Sequence, residues 1–102
     1  YRQGLEDMVI ITDGRTSGTS RGRLIVHASP EAAIGGPLAL IQNGDIICLD
    51  IEKATLYVEL HDNEWTTRKA AWSPPARRPQ RDWLGLYQRL ATSATYGAGM
   101  DW

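Results

Sequence analysis

At 102 residues the chain suffices for one small domain over 1–102 with a single core, and it excludes a large multidomain enzyme within these bounds. A formal net charge of −1 with 23% charged residues gives no basis for a nucleic-acid or acidic-membrane partner, and no apolar run approaches the roughly 20 residues of a membrane span. A lone cysteine excludes an internal disulfide and suits a reducing cytoplasm, no signal peptide is visible, and a start at Tyr1 rather than methionine predicts processing or excision from something larger.

Taken in order, Tyr1 to Asp7 is a polar lead-in without periodicity. Met8-Val9-Ile10-Ile11 is continuous and mostly β-branched, as expected of a strand covered on both faces. Thr12 to Gly22 follows, with Gly14, Gly18 and Gly22 spaced through it and the hydroxyls of Thr16, Ser17, Thr19 and Ser20 between them. Simple strand reversal uses about two to five residues. The greater length and the density of polar groups, Asp13, Arg15 and Arg21 included, predict a site. Arg23 to Ala28 reads as a second strand. Ser29 then offers a helix N-cap, Pro30 a preset first turn and Glu31 a favourable charge at the positive helix end. Gly35-Gly36-Pro37 stops that helix within two turns, and Leu38 to Ile41 fits helix or strand.

Asn43-Gly44-Asp45 is a strong turn signal. Beyond it Ile47, Leu49 and Ile51 alternate against Cys48 and Asp50, and Leu56, Val58 and Leu60 alternate against Tyr57 and Glu59. With Glu52-Lys53-Ala54 between them, Ile46–Ile51 and Thr55–Leu60 predict an antiparallel hairpin with one solvated face. Asp62 is read as the cap of a helix through about Trp72, ending before Ser73-Pro74-Pro75. Ser73 to Arg81 is a Pro/Arg linker in which Arg77, Arg78 and Arg81 are solvated. From Asp82, the spacing of Trp83, Tyr87, Leu90 and Ala94 predicts an amphipathic helix of about three turns, its Trp83/Tyr87 face being core or domain interface. Gly97-Ala98-Gly99 ends it in a loose tail. Five strand-like segments with short helices between and after them make a β-rich α/β domain.

On its own chemistry Ser17 reads as a loop serine bonding to its own backbone. No histidine lies near it in sequence, and Arg15 stands where the Gly-x-Ser-x-Gly nucleophile elbow needs glycine, so serine-dependent acyl transfer is the weakest alternative. Asp13 and Arg15 are expected to pair and brace the loop. His27, among apolar neighbours, reads as a strand histidine, His61 as surface and Cys48 as a packing residue without partner thiols.

Asp13-Gly14-Arg15-Thr16-Ser17-Gly18 resembles the serine loop of the dihydroxy-acid and sugar-acid (phosphogluconate) dehydratases. Ser29-Pro30-Glu31-Ala32-Ala33, Gly35-Gly36-Pro37, Gly44-Asp45-Ile46-Ile47 and the segment Arg68 to Pro75 follow in the family's order. The resemblance runs from about Asp7 to Ala98 and matches only the C-terminal domain of a much longer enzyme. It implies a swivelling β/β/α barrel-like domain with short flanking helices that lids an active site. It also implies a hydro-lyase that converts a 2,3-dihydroxy acid, a sugar acid or a branched-chain acid, to a 2-keto acid. By the resemblance Ser17 is the catalytic base, an alkoxide beside metal ions that removes the C2 proton, and Thr19, Gly18 and Arg15 bind substrate. His27 and Asp13 become secondary site residues.

The implied cofactors are an iron–sulfur cluster and Mg2+, bound mainly by the N-terminal domain. No metal ligand falls on this chain, because the family's Met-Pro-Glu segment is missing around Glu6. The implied partners are that N-terminal domain and a small hydroxy-acid substrate, in a cytoplasmic homo-oligomer; alone, the chain is expected to be inactive. Thr16 stands where the branched-chain members usually carry an aromatic residue, and Ser17-Gly18-Thr19 matches a run frequent in the sugar-acid members. The alternative is a non-catalytic binding or assembly module derived from the same domain.

Overall fold

The computed structural model describes residues 7–76 and 82–101, so Glu6, Arg77, Arg78 and Arg81 lie outside the described residues. The chain is mixed α/β. Among the described residues it forms two small sheets, two α-helices and three short 3-10 turns, without closing into a barrel.

The first sheet pairs β1 (Val9–Ile11) with β2 (Arg23–Ile25), in parallel, with Ile10 opposite Leu24. Parallel pairing accounts for the length of the serine loop, since the chain must return the full length of β1 before β2 can start. The length of Thr12 to Gly22 is therefore a consequence of topology, and only its composition still points to a site. The pairing continues past the ladder: the Thr12 N–H donates to Ile25 O at 2.9 Å, Ala28 N–H to Thr12 O at 3.1 Å, and His27 N–H to Gly14 O at 3.2 Å. The expected cover on both faces of β1 is not formed by the described residues, because Met8, Val9 and Ile10 are 43–53% exposed.

The helix expected to start at Ser29 is replaced by two 3-10 turns, Ala32–Ile34 and Pro37–Ala39. Glu31, not Ser29, precedes the first turn in extended conformation, and its side chain is used elsewhere. Gly35 sits at φ +80°, in the left-handed region that favours glycine. Gly36 is buried where a Cβ would overlap the carbonyl oxygen of Pro30 and lie 2.7 Å from that of Glu31, so the Gly-Gly pair answers a steric demand as well as stopping a helix. The ambiguous Leu38 to Ile41 is neither strand nor α-helix, and Leu40 is its buried anchor.

The second sheet is the expected hairpin, β3 (Ile47–Asp50) antiparallel to β4 (Thr55–Val58), with Ile47 opposite Val58, Cys48 opposite Tyr57 and Leu49 opposite Leu56. The alternation is as the sequence predicts, but the apolar face stays half-open. Ile47, Leu56 and Val58 line an apolar cleft of about 260 Å³ with Ile11, Pro37 and Trp65. Helix α1 (Asp62–Ala71) begins one residue earlier than expected: His61 occupies the cap position without a side-chain bond, and Asp62 with Glu64 places acid in the first turn. Arg68 ties α1 to the Asn43-Gly44-Asp45 turn. Its guanidinium grips both oxygens of Asp45, donates to Leu40 O at 3.1 Å and to Glu64 Oε1 at 2.8 Å, and only 11% of the Arg68 side chain and 9% of Asp45 are exposed.

Helix α2 (Trp83–Leu90) is capped by Asp82, the carboxylate accepting from Gly85 N–H at 3.1 Å. It is shorter than three turns. The chain leaves it at Ala91 to pair with Met100, and Thr92 N–H donates to Gly99 O at 2.8 Å. The expected loose tail is thus a folded return containing a third 3-10 turn, Ala94–Tyr96, with Gly97 at φ +88°. Gly85 is buried and Leu86 and Leu90 are half-buried, whereas Trp83 is 65% exposed, so of the two expectations for the Trp83/Tyr87 face, core or domain interface, core is not met among the described residues.

Candidate functional site

The serine loop is anchored at its root and self-contained at its crown. At the root, Thr12 Oγ1 accepts from Gly14 N–H at 3.1 Å, and Asp13 Oδ2 accepts from Ala32 N–H at 2.7 Å. The expected ion pair between Asp13 and Arg15 is absent among the described residues. Asp13 braces the loop against the Glu31–Ala32 corner instead, while Arg15 is exposed and has no hydrogen-bond or ionic partner among the described residues.

At the crown, the Ser20 N–H donates to Ser17 O at 3.1 Å and closes a tight turn. Ser17 Oγ then lies 3.0 Å from Thr19 Oγ1 and 3.4 Å from Ser20 Oγ. Three hydroxyls thus gather on one side of the turn. All three are exposed, and a Cβ built on Gly18 would meet nothing within 4 Å, which leaves the backbone there open to close approach. The glycine whose conformation demands it is Gly22, at φ +105°.

His27 stands beside the loop root, its backbone at φ +57° and bonded to Gly14 O. That conformation takes it out of the strand in which the sequence placed it, since β2 ends at Ile25. Glu31 is the residue whose role sequence reasoning missed. Its Oε1 accepts from Ala94 N–H at 2.7 Å and from Ser93 Oγ at 2.9 Å. The Ala94 backbone bond first, its own N–H next and the Ser93 hydroxyl after that hold its carboxyl below the ordinary 4.5. Acidic side chains before a helix are commonplace, so no local signal marks a carboxylate that reaches 62 residues along the chain.

These contacts bring Asp13, Gly14, Arg15, His27 and Glu31 onto the wall of one open groove of about 670 Å³, faced by Tyr87, Thr92 and Ala94. Ser17, Gly18 and Thr19 stand outside that lining, on the adjoining crown. The arrangement provides a hydroxyl with hydroxyl neighbours, an uncommitted guanidinium and a mixed polar groove beside them.

An iron–sulfur cluster does not fit this chain. Its single cysteine, Cys48, is half-buried in the hairpin and directs its thiol at Glu59 Oε1, 3.4 Å away, while a cluster needs several thiolates. Magnesium finds no cage either, since among the described residues no three His, Cys, Asp or Glu side chains converge. No helix among the described residues is long and apolar enough to cross a membrane. Residues 1–98 match the family model of the dihydroxy-acid/6-phosphogluconate dehydratase C-terminal domain, and the chain belongs to that family.

Proposed function

We propose that, as such a domain, this chain supplies the general base of a hydro-lyase that dehydrates a 2,3-dihydroxy acid to a 2-keto acid, with Ser17 removing the C2 proton. The observation that carries the reading is the family match over residues 1–98, within which Ser17 stands at an exposed loop crown with its Oγ 3.0 Å from a second hydroxyl. A serine hydroxyl is a weak acid, and anything that stabilises its anion strengthens the case for it as a base. The Thr19 and Ser20 hydroxyls can turn to donate toward Ser17 Oγ as it loses its proton. The open backbone at Gly18 can approach the substrate carboxylate, and Arg15 can pair with it.

The cluster and magnesium implied by the family belong in this proposal to an N-terminal domain of the same enzyme, and no step is routed through them here. That domain is also the proposed cover for the exposed faces of Met8, Val9, Ile10 and Trp83, which a small domain does not expose without a partner surface. The swivelling barrel-like arrangement would be completed by that docking, in a cytoplasmic homo-oligomer. The isolated chain is then inactive. The same exposed faces favour the second reading, a non-catalytic assembly module.

The test is Ser17→Ala in the full-length enzyme. Turnover should fall by about 10²–10⁴-fold or more, and exchange of the substrate C2 proton with solvent should vanish with it. Thr19→Ala should chiefly raise KM. Near-normal turnover in Ser17→Ala would remove Ser17 from the chemistry and leave the assembly reading.

A further inference from the structure

The hydrogen bonds described at the crown of the serine loop stay within Ser17 to Ser20, so the placement of the crown is decided where the loop joins the rest of the chain. Thr12 N–H to Ile25 O, Ala28 N–H to Thr12 O and His27 N–H to Gly14 O join it to the neighbouring strand and its continuation. These bonds set the register of the loop and leave its tilt open, since two strands alone can take a wide range of twist. A tie that leaves the sheet is made by Asp13 Oδ2, which accepts from Ala32 N–H at 2.7 Å.

That N–H belongs to the Glu31–Ala32 peptide, whose carbonyl accepts from Ile34 N–H at 3.2 Å and from Gly36 N–H at 3.0 Å. A peptide is a rigid plane, so whatever holds Glu31 also aims the N–H that meets Asp13. The Glu31 side chain is held from the far end of the chain, by Ala94 N–H at 2.7 Å and Ser93 Oγ at 2.9 Å. The anchor there is itself well tied. Ser93 O accepts from Tyr96 N–H at 2.9 Å and Ala98 N–H at 3.1 Å, and Ser93 Oγ accepts from Thr95 N–H at 3.3 Å while donating to Glu31.

We infer that Glu31 is a positioning residue for the serine loop: through the Glu31–Ala32 peptide and Asp13 it sets where Ser17 stands against the substrate. This rests on the reading of Ser17 as the base. A contiguous chain of hydrogen bonds can carry such coupling. Proton transfer weakens steeply when the base is displaced, whereas binding by groups elsewhere does not. A brace that only stabilised the fold would use the same bonds and leave the chemical step alone.

The experiment compares variants of the full-length enzyme. In Glu31→Ala, kcat should fall about tenfold to 10²-fold with KM nearly unchanged. Glu31→Gln should recover most of the loss, because an amide oxygen can still accept from both Ala94 and Ser93. Ser93→Ala, which removes one of the two bonds to the carboxylate, should reproduce the pattern at smaller size. Asp13→Ala should lower kcat as well, and adding Glu31→Ala to it should cost little more, since the two act in series. Backbone hydrogen exchange read by mass spectrometry should quicken over residues 12–28 in Glu31→Ala and stay unchanged over the hairpin 47–58. Unchanged kcat in Glu31→Ala, additive losses in the double variant, no recovery in Glu31→Gln, or exchange quickened equally in the hairpin overturns the inference. Failure of the Ser17 reading is seen separately, as near-normal turnover in Ser17→Ala.

Discussion

The corner where Asp13, Glu31 and Ser93 meet and the crown of the serine loop lie side by side, yet they are held by different means. In the corner every tie crosses the sequence: Asp13 to Ala32, Glu31 to Ser93 and Ala94. At the crown the bonds described run no further than from Ser17 to Ser20. Long-range ties cannot be lost without loosening the fold, whereas a turn that bonds to itself is replaceable as far as stability is concerned. The corner is therefore where stability resides, and the crown is free to be chosen for chemistry.

A matched pair of glycine substitutions tests that division with the largest expected effect. At Gly36 a Cβ would overlap the Pro30 carbonyl oxygen and crowd that of Glu31, both backbone atoms that cannot swing aside. Gly36→Ala should cost about 3 kcal/mol or more, at the upper end for overpacking. At Gly18 a Cβ meets nothing within 4 Å, and Gly18→Ala should stay within about 0.5 kcal/mol, as exposed substitutions do. Urea denaturation of the two variants checks this. Equal losses would erase the distinction between corner and crown.

The second test concerns acid. Arg68 holds the Asp45 carboxyl below its ordinary 3.8, with help from the Gln42 N–H at 2.7 Å, and Glu31 is likewise lowered by its bonds to Ala94 and Ser93. In both cases the folded chain binds the proton less tightly than the unfolded chain. The stabilisation is therefore complete above the unfolded values, and it disappears as pH falls through the lower folded ones. Melting followed downward from about pH 7 should show the midpoint falling once pH drops below about 4.5, and Glu31→Gln or Asp45→Asn should flatten that fall. Asp45→Ala leaves the largely buried Arg68 with Glu64 as its remaining carboxylate beside the Leu40 carbonyl, and its Tm should drop by roughly ten degrees at neutral pH. No such slope is expected to change in Ser17→Ala.

The same distinction explains what could be read in the sequence. The Asn43-Gly44-Asp45 turn and the hairpin alternation are statements about neighbours, and the structure contains both. Asp13 was legible as a brace but not its partner, since Arg15 is only two residues away in sequence and Ala32 is 19 residues away. Glu31 was misread because an acid after Ser-Pro has the local signature of a helix start, and the bond that claims it comes from the far end of the chain. The runs Met8–Ile11 and Ile46–Ile51 were legible as strands, but no local pattern says whether the covering surface belongs to this chain. The family was legible because its motifs are short and ordered along the chain, and the match over residues 1–98 bears it out. The barrel was not found, because the described residues form two separate two-stranded sheets.

Cys48 lies between the two cases, and the smallest effect is expected there. The sequence made it a packing residue, but it is only half-buried, donates its thiol to Glu59 and faces Tyr57 across the hairpin. Its ties therefore join adjacent strands and reach no farther. Cys48→Ala should cost less than about 1 kcal/mol, below the range for core truncation. The clearer readout is Tyr57. Its hydroxyl is held above the ordinary 10.0 by the hydrogen bond with Cys48 first, then by the negative charge of that sulfur, burial and the charge of Glu59. With Cys48 removed, the two leading causes go together, and the phenolate absorbance of Tyr57 should emerge at lower pH in a titration, with Tyr57→Phe marking which signal is its own. A large stability loss with Tyr57 unmoved would place Cys48 with the corner, among residues that hold the fold.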